Sequence, residues 1–213
     1  AVPLVLNTSE KPSGICELTQ PIVVPTKISI EAVTLKMAAM QRCGVANGFD
    51  DQLVFASDAD GVQQILRGKA GSHMTREPYS TSEITQGNGK ITTMFSSKDV
   101  LDGRASMQLL VGSETFQDAN PEVYNIVAEA LEESMDWINT HPQEAAALYI
   151  KAEGLKDKPQ DIVQQLSNQD VYFDSTPFQL EVYAHFMHDI GMVHRFFDWK
   201  MLTMQSLHSK LGS

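Results

Sequence analysis

Short β-branched runs alternate with longer helical stripes along the first half of the chain. The pattern is clearest over residues 21–44, PIVVPTKISIEAVTLKMAAMQRCG. Ile22, Val23 and Val24 form the kind of run a buried parallel strand uses. Pro25 ends it, because proline has no N–H to give to a ladder. Ser29 can cap a following helix, with Glu31 in its first turn. Ile30, Val33, Met37 and Met40 recur at helical spacing, and Gly44 is a natural stop. The hydroxyls, the lysine and the unpaired N–H groups at this helix start make a candidate anion site. An ordinary strand–helix unit with a polar turn accounts for the same residues.

Residues 1–7 (AVPLVLN) read as a strand, followed by a loop and a turn of helix over 15–18. Residues 53–56 read as a second short strand. Ser57 and Asp58 can open a helix that runs to Leu66 and stops at Gly68. Residues 70–75 read as a third short strand. Gly71-Ser72-His73-Met74 spells a common tag-cleavage remnant, but the strand–helix pattern runs through it unbroken and it reads as native sequence. A helix or turn follows over 80–84. Strands are predicted over 90–97 and 105–112, joined through Asp102-Gly103. This alternation argues for an α/β sheet with helices on both faces.

From Glu114 the pattern becomes helical. Asn120-Pro121-Glu122 supplies a cap, a first-turn proline and a first-turn acid. Val123, Ile126, Val127, Ala130, Leu131, Met135 and Ile138 carry the apolar face of the helix it opens. Further helices are predicted over 142–152, over 160–167, and from Thr176-Pro177 to Ile190. A short extended piece is expected at 171–173, and a tail over 192–213 that lies against the body.

The 27 acidic and 16 basic residues give 213 residues a formal net charge of −11. That argues against a nucleic-acid surface or an anionic membrane as partner, while a local basic cluster can still hold a small anion. No run is long enough to cross a bilayer. No signal-peptide pattern opens the chain, so the residues alone describe a cytoplasmic protein, a mature one or a fragment. Cys16 and Cys43 can form one bridge in an oxidising compartment, but two unrelated buried thiols is the preferred reading. His185, His188 and Asp189 share a helix, with His194 soon after. No Cys or Glu set completes a metal site, so these read as packing or surface histidines, with no metal or cofactor expected. No GxSxG, P-loop, GxGxxG or CxxC is present. Glu132, Glu133 and Asp136 read as the solvated face of a helix, and no catalytic residue is assigned.

Four segments together resemble one family: IVVPTKISIEAVTLKMAA, DADGVQQILRGKAGSHMTREPY, ITTMFSSKDVLDGRASMQLLVGSETF and NPEVYNIVAEALEESMDWINTHPQEAAALYI. Their order and spacing are similar to the nitrate/sulfonate/taurine (NMT1/THI5-like) substrate-binding proteins of ABC transporters. The resemblance implies the type II periplasmic-binding-protein fold, an α/β class with two lobes, a cleft and a two-crossing hinge. Residues 1–7 would be the first crossing, 8–101 the complete α/β lobe two, 102–112 the return crossing, and 113–213 the helical C-terminal part of lobe one with the tail. The family's N-terminal part of lobe one has no counterpart here. A homodimer of mutually completing copies is one arrangement that would compensate.

The implied function is that of the solute-binding component of an importer. It captures a small, anionic, sulfonate-, nitrate- or taurine-like organic molecule between two lobes and delivers it to a membrane permease by hinge closure, without covalent chemistry. The implied location is periplasmic or otherwise extracytoplasmic and lipid-anchored. By position, the ligand-binding face would comprise Thr26, Lys27 and Ser29; His73, Thr75, Arg76, Pro78 and Tyr79; and Arg104 with Ser106. Arginine can grip a sulfonate or carboxylate bidentately. Each hydroxyl can instead be a simple cap, Lys27 and Arg76 solvated charges, and Tyr79 core packing. The alternative is an enzyme of the thiamine-pyrimidine synthase type on the same fold, whose cysteine-rich motif this chain lacks.

Overall fold

A computed structural model describes residues 2–155 and 158–213. Five strands form one sheet: β1 (Val5–Thr8), β2 (Ile22–Val24), β3 (Leu53–Phe55), β4 (Ser72–Thr75) and β5 (Thr92–Ser96), in the order β3-β2-β4-β1-β5. β2 pairs in parallel with both β3 and β4, whereas β1 runs antiparallel between β4 and β5. The parallel pairs are linked by helices, as parallel neighbours require. These are α1 (Ile30–Cys43) between β2 and β3, and α2 (Asp58–Leu66) between β3 and β4. α3 (Tyr79–Gln86) leads to β5 and α4 (Ser97–Leu101) follows it.

The two faces of the sheet differ in chemistry because successive side chains on a strand point to opposite sides. Leu6, Ile22, Val24, Met74 and Phe95 join Val33, Leu35 and Ala38 of α1, with Val100, Leu101 and Ala105, in one apolar core. Asn7, His73 and Thr75, the alternate residues of β1 and β4, are buried too. They carry a hydrogen-bonded polar network under α2 and α3. The predicted single stripe on α1 is therefore incomplete. Nine consecutive residues, Glu31 to Ala39, are buried, while Met40 is half exposed. The reason is a second cover: Tyr183 of α9 (Leu180–Asp189) lies against α1 and shares a 2.7 Å hydrogen bond with Thr34. Lys36 is buried because Asn47 and Asp50 meet its ammonium group.

Cys16 and Cys43 are joined in a disulfide, which overturns the reading of two unrelated thiols. A 3-10 turn at Ile15–Glu17 brings Cys16 to the C-terminal end of α1, a closeness no spacing rule contains. Ser72, His73 and Met74 are fully buried in β4, so the tag-like tetrapeptide belongs to the fold.

The strand predicted over 105–112 does not form. These residues have no regular structure, and Leu109, Leu110 and Val111 are 61%, 73% and 84% exposed. A strand needs a ladder partner, and the described sheet ends at β5. Among the described residues, five helices follow β5 and α4: α5 (Glu114–Ala119), α6 (Pro121–Thr140), α7 (Pro142–Glu153), α8 (Pro159–Leu166) and α9. The last starts later than predicted, and residues 171–173 form no strand. Ser213 closes the tail against the start of α9, where its carbonyl accepts from Leu180 N–H at 2.8 Å. Lys210 pairs with Glu132 of α6, and that contact holds the Glu132 carboxyl below the usual carboxylate range. Among the described residues no helix is long and apolar enough to cross a membrane.

Candidate functional site

The C-terminal ends of parallel strands are where α/β sheets present loops and helix starts to a ligand. Here β2 delivers Thr26, Lys27 and Ser29, β3 delivers Ser57 and Asp58, and β4 delivers Thr75, Arg76, Pro78 and Tyr79. β1 begins at the same end, since Val5 is level with both Thr75 and Ser96. Beyond it lies a cavity of about 40 Å³ that Pro3, Ser97, Arg104, Met107 and Tyr172 help to line. The sheet thus brings the sequence-predicted residues to one of its ends.

Their roles at that end are unequal. Thr26 and Lys27 are exposed at the start of α1, while Ser29 caps the helix by accepting from Ala32 N–H at 3.3 Å. Pro78 is exposed after a cis peptide bond, and Tyr79 is half-buried at the first position of α3. Arg104 is exposed, with its guanidinium 4.4 Å from the Tyr172 ring centroid; burial pushes the Tyr172 phenol up. Ser106 is tied to Phe178 by two bonds: Phe178 N–H donates to its hydroxyl at 3.1 Å, and its own N–H donates to Phe178 C=O at 2.9 Å. That bond holds the segment after α4 against residues that precede α9.

His73 stands behind the face instead of on it. Its ring is fully buried, with Nδ1 2.5 Å from Glu83 Oε1. The other Glu83 oxygen accepts from Asn7 Nδ2 at 2.9 Å, and Thr93 Oγ1 donates to Asn7 Oδ1 at 2.7 Å. A buried carboxylate needs such partners. The far nitrogen of His73, Nε2, has no hydrogen-bond partner and sits 3.7 Å from Asp58 Oδ1. Gly61 of α2 makes room for the ring, because a Cβ there would lie 2.4 Å from His73 Cε1.

Arg76 is the charged centre of the face. Its Nη1 donates to Glu31 Oε1 at 2.9 Å, and its Nη2 lies 3.5 Å from Asp58 Oδ2. Thr75 Oγ1 donates to Asp58 Oδ1 at 3.2 Å. Both carboxylates are largely buried, while the arginine side chain is one-third exposed. Sequence reasoning named Thr75 and Arg76 but read Glu31 and Asp58 only as helix-start residues. An acid in the first turn is such a common dipole partner that nothing in the spacing marked these two.

At the opposite end of the sheet, Thr8, Lys11, Ser13, Cys16, Arg42 and Thr92 help to line an open groove of about 500 Å³. No sequence-predicted site residue lies in it. Among the described residues, no group of three or more His, Cys, Asp or Glu could hold a metal ion. His185 instead lies 3.4 Å from Glu181 and packs on Phe196.

Neither a known family profile nor a curated protein matches the sequence. Solved structures do match. One is the periplasmic aliphatic sulphonate binding protein SsuA from Escherichia coli, with a TM-score of 0.65 and 15% identity over 96% of this chain and 68% of that one. Another is a periplasmic sulfonate-binding protein of a putative sulfonate ABC transporter from Methylobacillus flagellatus, with a TM-score of 0.63 and 16% identity over 97% of this chain and 64% of that one. The zinc-bound ligand-binding component of an ABC-type import system from Staphylococcus aureus gives a TM-score of 0.68 and 12% identity over 97% of this chain and 70% of that one. The periplasmic-binding-protein fold implied by the sequence resemblance is therefore shown, and the chain spans roughly two thirds of the length of these proteins.

Proposed function

We propose that the protein is the solute-binding component of an ABC importer, acting outside the cytoplasm. It captures a small organic molecule with a sulfonate-, nitrate- or taurine-like anionic group and delivers it to a membrane permease. On this reading, residues 8–101 are one lobe, residues 1–7 and 102–112 are hinge crossings, and residues 113–213 belong to the facing lobe. The ligand sits against the end of the sheet that carries Thr26, Lys27, Ser29, Thr75, Arg76, Pro78, Tyr79 and Arg104. His73 braces that face from behind, and Ser106 fastens the hinge segment.

The observation that carries the reading is the convergence of three strand-end loops on one end of a sheet with this topology. The exposed start of α1 offers Thr26, Lys27 and a positive helix end to an anion. Capture by closure needs no covalent chemistry. The enzyme alternative rests on cysteine chemistry, and both cysteines of this chain are held in the disulfide.

The test is native mass spectrometry of the gently purified protein, beside thermal melting against alkanesulfonates, nitrate, 2-aminoethanesulfonate and small carboxylates. A retained small adduct and a saturable rise in melting temperature with one class are expected. An unchanged melting temperature with every class, and no adduct, would overturn the proposal.

A further inference from the structure

His73 is fully buried in β4, yet only one of its two ring nitrogens is satisfied. Across the sheet it lies level with Asn7 of β1 and Val23 of β2, neither of which carries charge. The charged groups that meet it come from the two helices packed on this face. Glu83 of α3 takes Nδ1 at 2.5 Å, and Asp58 of α2 stands 3.7 Å from Nε2. One step further out, Arg76 meets both Asp58 and Glu31. The imidazole is therefore set between two carboxylates, with one contact closed and the other open.

The surroundings decide which partner can close the open side. The ring is bound to Glu83 and packed so tightly under Gly61 of α2 that a Cβ there would lie 2.4 Å from Cε1. Asp58 is the movable partner. It sits at the first position of α2, held by one Thr75 hydroxyl at 3.2 Å and by Arg76 Nη2 only at 3.5 Å. A neutral ring that gives its Nδ1–H to Glu83 turns a lone pair towards Asp58, and the two repel. A second proton, on Nε2, makes the ring a donor on both sides. A charge-assisted bond to Asp58 then closes by a shift of roughly 1 Å.

We infer that His73 is a proton-operated positioning residue for Arg76. Without a proton on Nε2, Asp58 stays forward, on Thr75 and Arg76. With that proton, taken from solvent, Asp58 is drawn back onto the imidazolium and Arg76 is left with Glu31 alone. Nothing else is bonded or released. Arg76, one-third exposed, then turns more of its charge outward. The coupling is reciprocal: whatever draws Arg76 off Asp58 also favours the proton on His73. The switch needs no ligand. On the solute-binding reading its consequence is that an anion on Arg76 is held more tightly as pH falls.

Long-range proton–nitrogen NMR of the full chain, labelled at histidine and arginine and free of ligand, reads this directly between about pH 5 and 9, the range in which imidazole charge is ordinarily decided. The His73 ring is expected to carry one proton, on Nδ1, at the alkaline end and two at the acid end. The Arg76 Nε resonance should move with the same midpoint. Asp58→Asn removes the anion that favours the second proton, so it should shift the His73 midpoint to lower pH and free Arg76 Nε from it. His73→Gln, which takes no charge, should abolish the Arg76 response. A His73 ring that keeps one protonation state across the range would overturn the switch, and so would a titration that Arg76 does not follow. Both readouts come from the wild-type protein, so they decide the question even where a variant fails to fold. With no solute present, either failure leaves the solute-binding reading standing, and failure to bind a solute leaves the switch standing.

Discussion

Residues 5–101 and residues 114–213 are comparable in length but differ in how their apolar residues are placed. The first region closes a core on one face of the sheet and a buried polar network on the other. The second contributes few buried hydrophobic residues, among them Ala146, Ile162, Leu180 and Tyr183. Its longest helix, α6, has none, although Val123, Ile126 and Val127 follow one another at helical spacing. Helices of that length depend on tertiary packing more than on propensity. The same periodic signal thus marks an element in both regions but a core in only one. A sheet gives the first region a surface to pack on, and the second has none among the described residues.

The largest test of this contrast lies in the polar network. Glu83→Ala should leave His73 buried beside an empty place and cost about 3–5 kcal/mol, as breaking a buried pair does; urea unfolding reads it directly. Leu6→Ala, in the apolar core, should cost about 2–5 kcal/mol. Ile126→Ala, on α6, should stay within about 0.5 kcal/mol, because that side chain is exposed. Similar losses at Leu6 and Ile126 would break the comparison.

Reducing the disulfide should lower stability by about 3–4 kcal/mol, given the 27-residue separation of its cysteines and the entropy of the opened loop. The drop in melting temperature on adding reductant measures it, and a Cys16→Ser/Cys43→Ser variant should show none.

A smaller effect tests the tie between the regions. Burial pushes the Tyr183 phenol up to about 12, against 10 for an exposed tyrosine. The folded state therefore keeps the proton that the unfolded chain releases. The stabilisation is fully present below pH 10 and is lost as pH rises through 12, about 2–3 kcal/mol in all. Tyr183→Phe should flatten that part of the pH–stability curve. It should also cost about 1 kcal/mol at neutral pH through the lost bond to Thr34.

Much of the region over residues 5–101 was legible in the sequence. Ile22–Val24, the Ser29 cap and Gly44 fixed β2 and α1 because each is a local signal, read within a few residues. The resemblance added the fold, and with it the end of the sheet at which the ligand is proposed to sit. Contacts between distant segments were not legible. Nothing local to Cys16 points to Cys43, and nothing local to Glu31 points to Arg76. His73 looked like a ligand residue because it lies beside Thr75 and Arg76. The two-residue period of β4 turns it, with Thr75, to the face that carries the polar network, and Glu83, ten residues on, then claims it. The 105–112 run failed for the opposite reason: its residues favour a strand, but a strand is a property of a pair.

Hydrogen–deuterium exchange with and without 2-aminoethanesulfonate tests the central claim most directly. The account predicts slowed exchange at residues 25–31, 57–60 and 75–79, with the groove around Lys11 and Arg42 at the other end of the sheet unchanged. Protection confined to that groove, with none at the three strand-end loops, would contradict it.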